Sequence, residues 1–120
     1  MTIGEVARKF DLSLDTLRYY EKVGLISPVS KVSGRREYSD ENINELKFVL
    51  CMKNAGLSLK DILKFTEYGK KGDETLPERL DILKKQREVL TSEIEEKKET
   101  LNYLNYKINL YEGKIGKWGQ

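Results

Sequence analysis

The chain has 120 residues, which suits one domain with an extension and excludes a large multidomain enzyme. Charged residues make up 35% of it and hydrophobic residues 38%, with a net charge of +2, a balance typical of a soluble and ordered helical protein. With one cysteine and no histidine, it offers neither an intrachain disulfide nor the usual histidine-based zinc sites and nucleophile pairs. We therefore expect no catalytic residues, no cofactor and no metal site.

The charges are spread unevenly along the chain. Residues 1–36 carry seven basic groups against four acidic ones, whereas residues 72–120 carry nine against ten. A basic N-terminal region indicates that this part meets an anionic partner. No apolar run approaches the roughly 20 residues that span a bilayer, and the first residues lack signal-peptide features, so we expect a cytoplasmic protein without membrane contact.

Two short helices are predicted at the start. Thr2 followed by Glu5 is a capping-box pattern, and the apolar spacing after it predicts a first helix that ends near Phe10. Ser13 is the next N-cap candidate and Gly24 a helix stop, which predicts a second helix between them. Two short helices joined by so short a turn suggest a helix-turn-helix.

The second helix has two faces. Leu14 and Leu17 are expected to point inward. The residues that share an outward stripe at i, i+3, i+4 and i+7 are Asp15, Arg18, Tyr19 and Lys22. In a major groove this stripe would offer cationic and hydroxyl contacts to phosphates and base edges. The alternative is an ordinary solvated helix face.

Helical periodicity breaks over residues 26–38. Ser33 and Gly34 form a turn signal between β-tolerant flanks, which predicts a small β-hairpin, or wing. Arg35 and Arg36 lie just past its tip, where paired guanidinium groups suit phosphates or a narrow minor groove. The alternative is a charged edge strand that discourages aggregation.

Two more helices follow the wing. Ser39 caps one that stops at Gly56, and Ser58 begins another that ends before Gly72.

The single cysteine, Cys51, lies in the third helix. A free cysteine is by default a small buried hydrophobic residue. The functional alternative is a reactive thiolate favoured by the nearby Lys47 and Lys53.

The fifth helix is expected over residues 75–111. Thr75 and Glu78 suggest a capping box, with Pro77 in the first turn. A 4-3 alternation then forms a seam of Leu76, Leu80, Leu83, Arg87, Leu90, Ile94, Lys97, Leu101, Leu104, Ile108 and Tyr111. So long an apolar seam needs a partner, most simply a second copy, and the alternative is a solvated single helix. Within the seam, Arg87 and Lys97 either fix the pairing register or extend their charges into solvent.

Four blocks of the sequence together resemble the MerR family of transcription regulators. The most specific is Leu17-Arg18-Tyr19-Tyr20-Glu21, followed by Gly24-Leu25-Ile26. The others cover residues 2–7, 34–39 and 55–59, and the likeness extends over about residues 1–66.

This resemblance implies a mostly α-helical fold. A winged helix-turn-helix DNA-binding domain would occupy residues 1–71, and 72–74 would form a linker. An antiparallel coiled-coil dimerisation helix would span 75–112, and a short tail 113–120.

The resemblance also implies a function, that of a homodimeric regulator. Family members bind double-stranded promoter DNA at a palindromic operator in an over-long spacer, and they distort that spacer so that RNA polymerase meets aligned promoter elements. RNA polymerase is thus an indirect partner. By position, Arg18, Tyr19 and Tyr20 match the family's recognition-helix contacts, and Arg36 and Tyr38 match its wing contacts.

Arg35 departs from the family's pattern, which usually has an aromatic or aliphatic residue at that place. The full set of candidate DNA-binding residues is Thr2, Ser13, Asp15, Thr16, Arg18, Tyr19, Tyr20, Lys22, Arg35, Arg36 and Tyr38.

The expected effector is a thiol-reactive aldehyde or other electrophile, sensed by Cys51 in a stress response. Residues 50–56 resemble the cysteine segment of the short single-cysteine (NmlR/AdhR-like) branch. Metal-sensing members carry cysteines around the dimerisation helix and drug-sensing members a large C-terminal domain, and neither feature is expected here. Two alternatives stay open: a reversible effector or none, with Cys51 structural, and a coiled-coil adaptor that binds protein.

Overall fold

The computed structural model describes residues 1–118, and its fold is mostly helical, as the sequence predicts. The elements in chain order are α1 (Ile3–Phe10), α2 (Leu14–Lys22), β1 (Ser30–Val32), β2 (Arg35–Glu37), α3 (Asp40–Asn54), α4 (Leu59–Lys70), a 3-10 turn (Asp73–Thr75) and α5 (Leu76–Trp118). The chain divides into two compact units, one of residues 1–83 and one that starts at Lys84. Among the described residues, no helix combines the length and apolarity needed to cross a membrane.

Side-chain caps begin the first two helices where the sequence predicts them. At α1, Glu5 N donates to Thr2 Oγ1 at 3.2 Å while Thr2 N donates to the Glu5 carboxylate at 3.2 Å, which completes a capping box. At α2, Thr16 N donates to Ser13 Oγ at 3.0 Å. These bonds satisfy N–H groups that have no partner inside the helix, and therefore fix where each helix starts.

The predicted hairpin is confirmed, with β1 and β2 antiparallel and Lys31 opposite Arg36. Both turn residues have positive φ, 53° at Ser33 and 79° at Gly34, as in the type I′ turns that suit the twist of two-residue hairpins. An isolated bridge between Thr2 and Glu37 connects the start of the chain to β2. The wing is thereby attached to the helical part of the first unit.

The core of the first unit draws on α1 to α4 and on the segments that flank the wing. Its fully or nearly buried apolar members are Val6, Leu17, Tyr20, Leu25, Ile26, Val29, Tyr38, Ile43, Leu46, Val49 and Ile62. The expectation that Leu14 points inward is wrong, because this side chain is 40% exposed. Leu14 precedes the buried Tyr20 by six residues. Because an α-helix turns by about 100° per residue, the two side chains point about 120° apart around α2.

The start of α5 differs from the expected capping box. Thr75 ends a 3-10 turn, and its hydroxyl shares its one proton between the carbonyls of Gly72 (2.9 Å) and Tyr68 while it accepts from Arg79 Nε (3.2 Å). These bonds join α4 to the first turn of α5. At the other end, α5 continues past Tyr111 to Trp118, so the part of the expected tail over 113–118 is helical, and the rest of that tail lies outside the described residues.

Candidate nucleic-acid interface

The outward face of α2 presents the side chains that the sequence predicts. Arg18, Tyr19 and Lys22 are exposed, with Tyr19 at 50%. Asp15 lies one turn before Arg18, and its carboxylate is 3.4 Å from the Arg18 guanidinium. At so exposed a site this ion pair is weak, so the Arg18 guanidinium is available to a stronger anion.

The N-terminal end of α2 adds two hydroxyl groups to the same surface. Ser13 Oγ accepts from the backbone N–H of Thr16 and donates to Thr16 Oγ1 at 2.8 Å. Because a helix N-terminus carries partial positive charge, these hydroxyls lie where a phosphate is favoured.

An ion pair that the sequence analysis missed joins the wing to α2. Arg36 Nη1 contacts Glu21 Oε1, and Glu21 Oε2 accepts from the backbone N–H of Val29 at 3.0 Å. Both charged side chains are largely covered, at 30% and 20% exposure. Glu21 therefore holds β2 and the loop before β1 against α2. The available signal was an acidic residue directly before Lys22 on an otherwise basic helix end.

Tyr38 lies directly after β2, and its side chain is buried. Within residues 1–118 its hydroxyl has no hydrogen-bond partner, although the residue is only 3% exposed. Burial raises the pKa of Tyr38, and the positive charges of Arg36 and Arg18 partly offset that rise. The phenol is thus a neutral hydrogen-bond donor. Arg18 on α2 and Arg36 on the wing both lie near it.

The wing tip is exposed on both strands, with Val32 opposite Arg35. Arg35 extends the cationic surface away from the Glu21 ion pair. Thr2 is half-buried at the α1 cap, and its amide and hydroxyl hydrogen bonds lower the pKa of Glu5.

The structure places Tyr20 differently from the expected DNA contact. Its side chain is 1% exposed, and its hydroxyl accepts a hydrogen bond from Lys53 Nζ at 3.1 Å. Tyr20 follows Leu17 by one turn on the inward face, so it joins α2 to α3 and belongs to the core. The expectation of a surface contact at this residue is corrected accordingly.

Cys51 is exposed on α3, which contradicts the alternative of a small buried residue. Lys47 lies one turn before it. Lys53, the other cation named from the sequence, is engaged by Tyr20. The thiol is therefore open to reagents from solvent. In the part of the chain that the structure describes, no group of three or more Cys, Asp or Glu side chains is arranged to hold a metal ion.

An apolar groove of about 350 Å³ lies within the first unit, between α3 and α4. Phe48 and Phe65 line it, with ring centroids 5.1 Å apart. Leu25 and Thr66 also line it, and Glu45 supplies a carboxylate at one side. Such a lining suits a small, mostly apolar molecule.

Comparison with known proteins identifies the MerR family of regulators. Residues 1–68 match the family model "MerR HTH family regulatory protein", and residues 43–105 match "MerR, DNA binding". The chain is 46% identical over 91 residues to the transcriptional regulator AdhR of Bacillus subtilis, a match that covers 75% of this chain and 65% of that protein, less than two thirds of its length. An uncharacterised regulator of Haemophilus influenzae is 38% identical over 112 residues, with 92% and 83% covered.

Two solved structures resemble this one closely. HiNmlR, described as a MerR family regulator lacking the sensor domain and bound to promoter DNA, superposes with a TM-score of 0.79 at 38% identity, over 92% of this chain and 89% of that one. A MerR family regulator from Listeria monocytogenes gives a TM-score of 0.80 at 35% identity, over 93% and 86%.

Proposed function

The chain belongs to the MerR family of helix-turn-helix regulators and is a DNA-binding transcription regulator rather than an enzyme, and on this basis we propose that it activates its promoter as a homodimer by distorting the DNA. Family membership removes the alternative of a protein adaptor. The promoter is proposed to carry a palindromic operator in an over-long spacer, so that a two-fold symmetric dimer meets two equivalent half-sites. RNA polymerase then engages the realigned promoter.

The observation that carries this proposal is the joint position of the α2 stripe and the wing around Tyr38. Arg18, Tyr19 and Lys22 are proposed to enter the major groove. Arg36 and Tyr38 are proposed to contact phosphate, since a cation and an unpartnered neutral donor lie near one another there. These contacts belong to one surface because Glu21 fixes the wing against α2.

The remaining candidates take supporting roles in this proposal. Ser13 and Thr16 offer hydroxyls to a phosphate at the α2 N-terminus, and Asp15 orients Arg18. Arg35 is proposed to contact the DNA backbone beyond the tip of the wing. Thr2 is proposed to contact DNA only as part of the capped N-terminus of α1. Tyr20 is absent from the contact set because its hydroxyl already accepts from Lys53 Nζ inside the core, whereas the buried Tyr38 hydroxyl has no partner among residues 1–118.

Activation is proposed to work through the shape of the DNA. The DNA-binding units of the two copies are proposed to bend and untwist the promoter spacer between their half-sites. The energy of that deformation depends also on DNA bases that the protein does not contact.

The proposed inducer is an aldehyde or related electrophile that modifies Cys51, in line with the exposure of this thiol. Its thiolate adds to the carbonyl carbon, forming a C–S bond, while the C=O π pair moves to oxygen. That oxygen takes up the proton released by the thiol, so the hemithioacetal forms without an oxidant or other co-reactant.

In vitro transcription from the promoter nearest the gene tests these points. Wild type and Cys51→Ser are each compared with and without formaldehyde or methylglyoxal. Activation of wild type alone is expected. If Cys51→Ser responds fully, the thiol switch is wrong while the regulator remains. If neither protein changes transcription, promoter activation by DNA distortion is wrong.

A second effector mode is favoured by the groove between α3 and α4. A reversible apolar ligand seated on Phe48 and Phe65 would act on the same head without a covalent bond. Induction that survives in Cys51→Ser but is lost when Phe65 is replaced by a lysine would support this mode over the thiol.

A further inference from the structure

The chain passes from α4 to α5 through a short segment, residues 68–79, which we call the α4–α5 joint. All of it lies in the first compact unit. Gly72 turns the chain there with φ 83° and ψ −156°, a conformation that is essentially restricted to glycine. Apart from its chain neighbours, no atom would lie within 4 Å of a Cβ at this position. The backbone conformation, rather than crowding, therefore requires the glycine.

Thr75 bonds the end of α4 to the start of α5. The residue is 6% exposed, and its single hydroxyl proton lies between the carbonyls of Tyr68 and Gly72, the latter at 2.9 Å. The Tyr68 carbonyl is among the last four of α4, which lack the regular partner four residues further along the helix. The hydroxyl thus satisfies α4 from a position directly before α5.

Arg79 completes the joint from the first turn of α5. Its Nε donates to Thr75 Oγ1 at 3.2 Å, and its Nη2 donates to the Gly72 carbonyl at 2.8 Å. Two donors of one rigid guanidinium reach two acceptors, which fixes the first turn of α5 relative to the end of α4. A positive charge is unfavourable near the N-terminus of its own helix but favourable at the carbonyl end of α4. The position of Arg79 is therefore explained by α4.

We infer that Thr75 and Arg79 are positioning residues for promoter activation, because their bonds hold α4 and the first turn of α5 in one arrangement against the restoring force of distorted DNA. This inference rests on the proposed activation by DNA distortion and names the residues that sustain it. Neither residue belongs to the candidate DNA-binding set.

Force between DNA and dimer passes through the α4–α5 joint. The candidate DNA-binding residues all precede the joint in the chain, and α5, through which the two copies are proposed to pair, follows it. Distorted DNA tends to return to its relaxed form, and the protein holds it distorted only if the segments between its attachment points resist. A joint held by its backbone alone would yield at Gly72, since glycine permits several backbone conformations. The bonds from Thr75 and Arg79 remove that freedom.

Loosening the joint should separate DNA distortion from DNA binding. The base and phosphate contacts are proposed to lie elsewhere, so they persist, and the complex no longer carries the energy of deformation. Operator affinity should then equal or exceed that of wild type. The net contribution of one hydrogen bond corresponds to roughly fivefold in an equilibrium constant, so the ratio of distorted to relaxed complexes should fall by about that factor or more.

The experiment uses the full chain with two variants. Thr75→Val removes the hydroxyl and keeps the shape of the side chain, and Arg79→Ala removes both guanidinium bonds. Operator affinity is measured by fluorescence anisotropy, and the end-to-end distance of the operator duplex by energy transfer between fluorophores at its two ends. Transcription in vitro is measured with and without methylglyoxal. Both variants are expected to bind the operator at least as tightly as wild type, to leave the duplex less distorted, and to reduce activated transcription by roughly fivefold.

Three further variants separate positioning from charge and from loss of fold. Thr75→Ser keeps the hydroxyl and should behave as wild type. Lys71→Ala is the matched control for Arg79→Ala, because it removes one positive charge from the same joint and none of the bonds described above. Gly72→Ala strains the backbone at φ 83° while every bonding group is retained, and should reproduce the loss of distortion. Circular dichroism verifies the fold of each variant, and Arg79→Ala and Gly72→Ala carry the test if Thr75→Val does not fold.

The outcomes distinguish this inference from the proposed function. A wild-type protein that leaves the duplex undistorted refutes the proposed function and this inference with it. If wild type distorts the duplex and Thr75→Val and Arg79→Ala distort it equally, the inference alone is wrong. It is also wrong if operator affinity falls together with distortion, as in a merely destabilised protein, or if Lys71→Ala shows the same loss as Arg79→Ala.

Discussion

Replacing Tyr38 by phenylalanine should stabilise the fold and weaken DNA binding together. In the free protein the hydroxyl is buried with no partner among residues 1–118, so its removal breaks no hydrogen bond. In the proposed complex the same hydroxyl donates to a phosphate. One atom therefore contributes with opposite sign to the free energy of unfolding and to that of DNA binding.

The size of each effect follows from the burial of Tyr38. A buried polar group without a partner costs about 1–3 kcal/mol, and phenylalanine keeps the ring that packs in the core. We expect Tyr38→Phe to raise the free energy of unfolding by about 1 kcal/mol. A hydrogen bond to a charged group contributes about 1.5–3 kcal/mol, so removal of the phosphate hydrogen bond should weaken operator binding by roughly tenfold or more.

The pH dependence provides a further check. Burial raises the pKa of Tyr38 above 10.0, so the unfolded chain releases the phenolic proton at a lower pH than the folded chain does. This contribution to stability is fully present below pH 10 and is lost as the pH rises towards the folded pKa. Tyr38→Phe lacks that loss, and its stability advantage over wild type should therefore grow above pH 10.

Urea unfolding at pH 7 and pH 10.5, with fluorescence anisotropy on operator DNA, measures the three effects. Tyr106→Phe is the matched control, because its hydroxyl is exposed on α5, outside both the core and the proposed DNA contacts. If Tyr38→Phe is less stable than wild type and binds the operator equally well, the hydroxyl has a partner within the protein and the reasoning fails.

Three more substitutions probe the interface and the caps. Arg18→Ala should reduce the slope of log affinity against log salt concentration by about 0.9 for each phosphate that the protein no longer neutralises. If a salt titration shows an unchanged slope, Arg18 does not contact a phosphate. Glu21→Gln should lower the ratio of operator affinity to non-specific DNA affinity several-fold, because Arg36 loses its ion-pair partner while the surface becomes more positive. Competition with an unrelated duplex measures this ratio. An unchanged ratio would contradict the role of Glu21 in positioning Arg36. Hydrogen bonds from the Thr2 amide and hydroxyl hold the pKa of Glu5 below 4.5, so its stabilising effect is present above pH 4.5 and is lost on further acidification; Glu5→Gln should therefore flatten the acid side of the stability curve, and parallel curves would argue against it.

Local chemistry made the helix starts and the hairpin predictable. The caps at Thr2, Ser13 and Ser39 each bond to an N–H three residues on, so the pattern lies within one turn of sequence. The same holds for Ser33 and Gly34, whose positive φ values need only a two-residue turn. Elements set by neighbouring residues are the ones that a single sequence reveals.

Contacts between distant residues were beyond such patterns. Arg36 pairs with Glu21 across the loop that precedes the wing, and spacing alone assigns no partner to either charge. Tyr19 and Tyr20 are adjacent and chemically alike, and packing on α3 decides that Tyr20 is the buried one. Thr75 carries a capping signal, but the turn before α5 directs its hydroxyl back to α4.

The division of α2 into two faces has a consequence for how such regulators diversify. Leu17 and Tyr20 hold the helix in the core, while Arg18, Tyr19 and Lys22 extend into solvent and leave the packing untouched. Substitutions on the outer face can therefore accumulate at little thermodynamic risk. A duplicated copy of this protein could be retargeted to a new operator by a few changes in one helix, with the scaffold inherited intact.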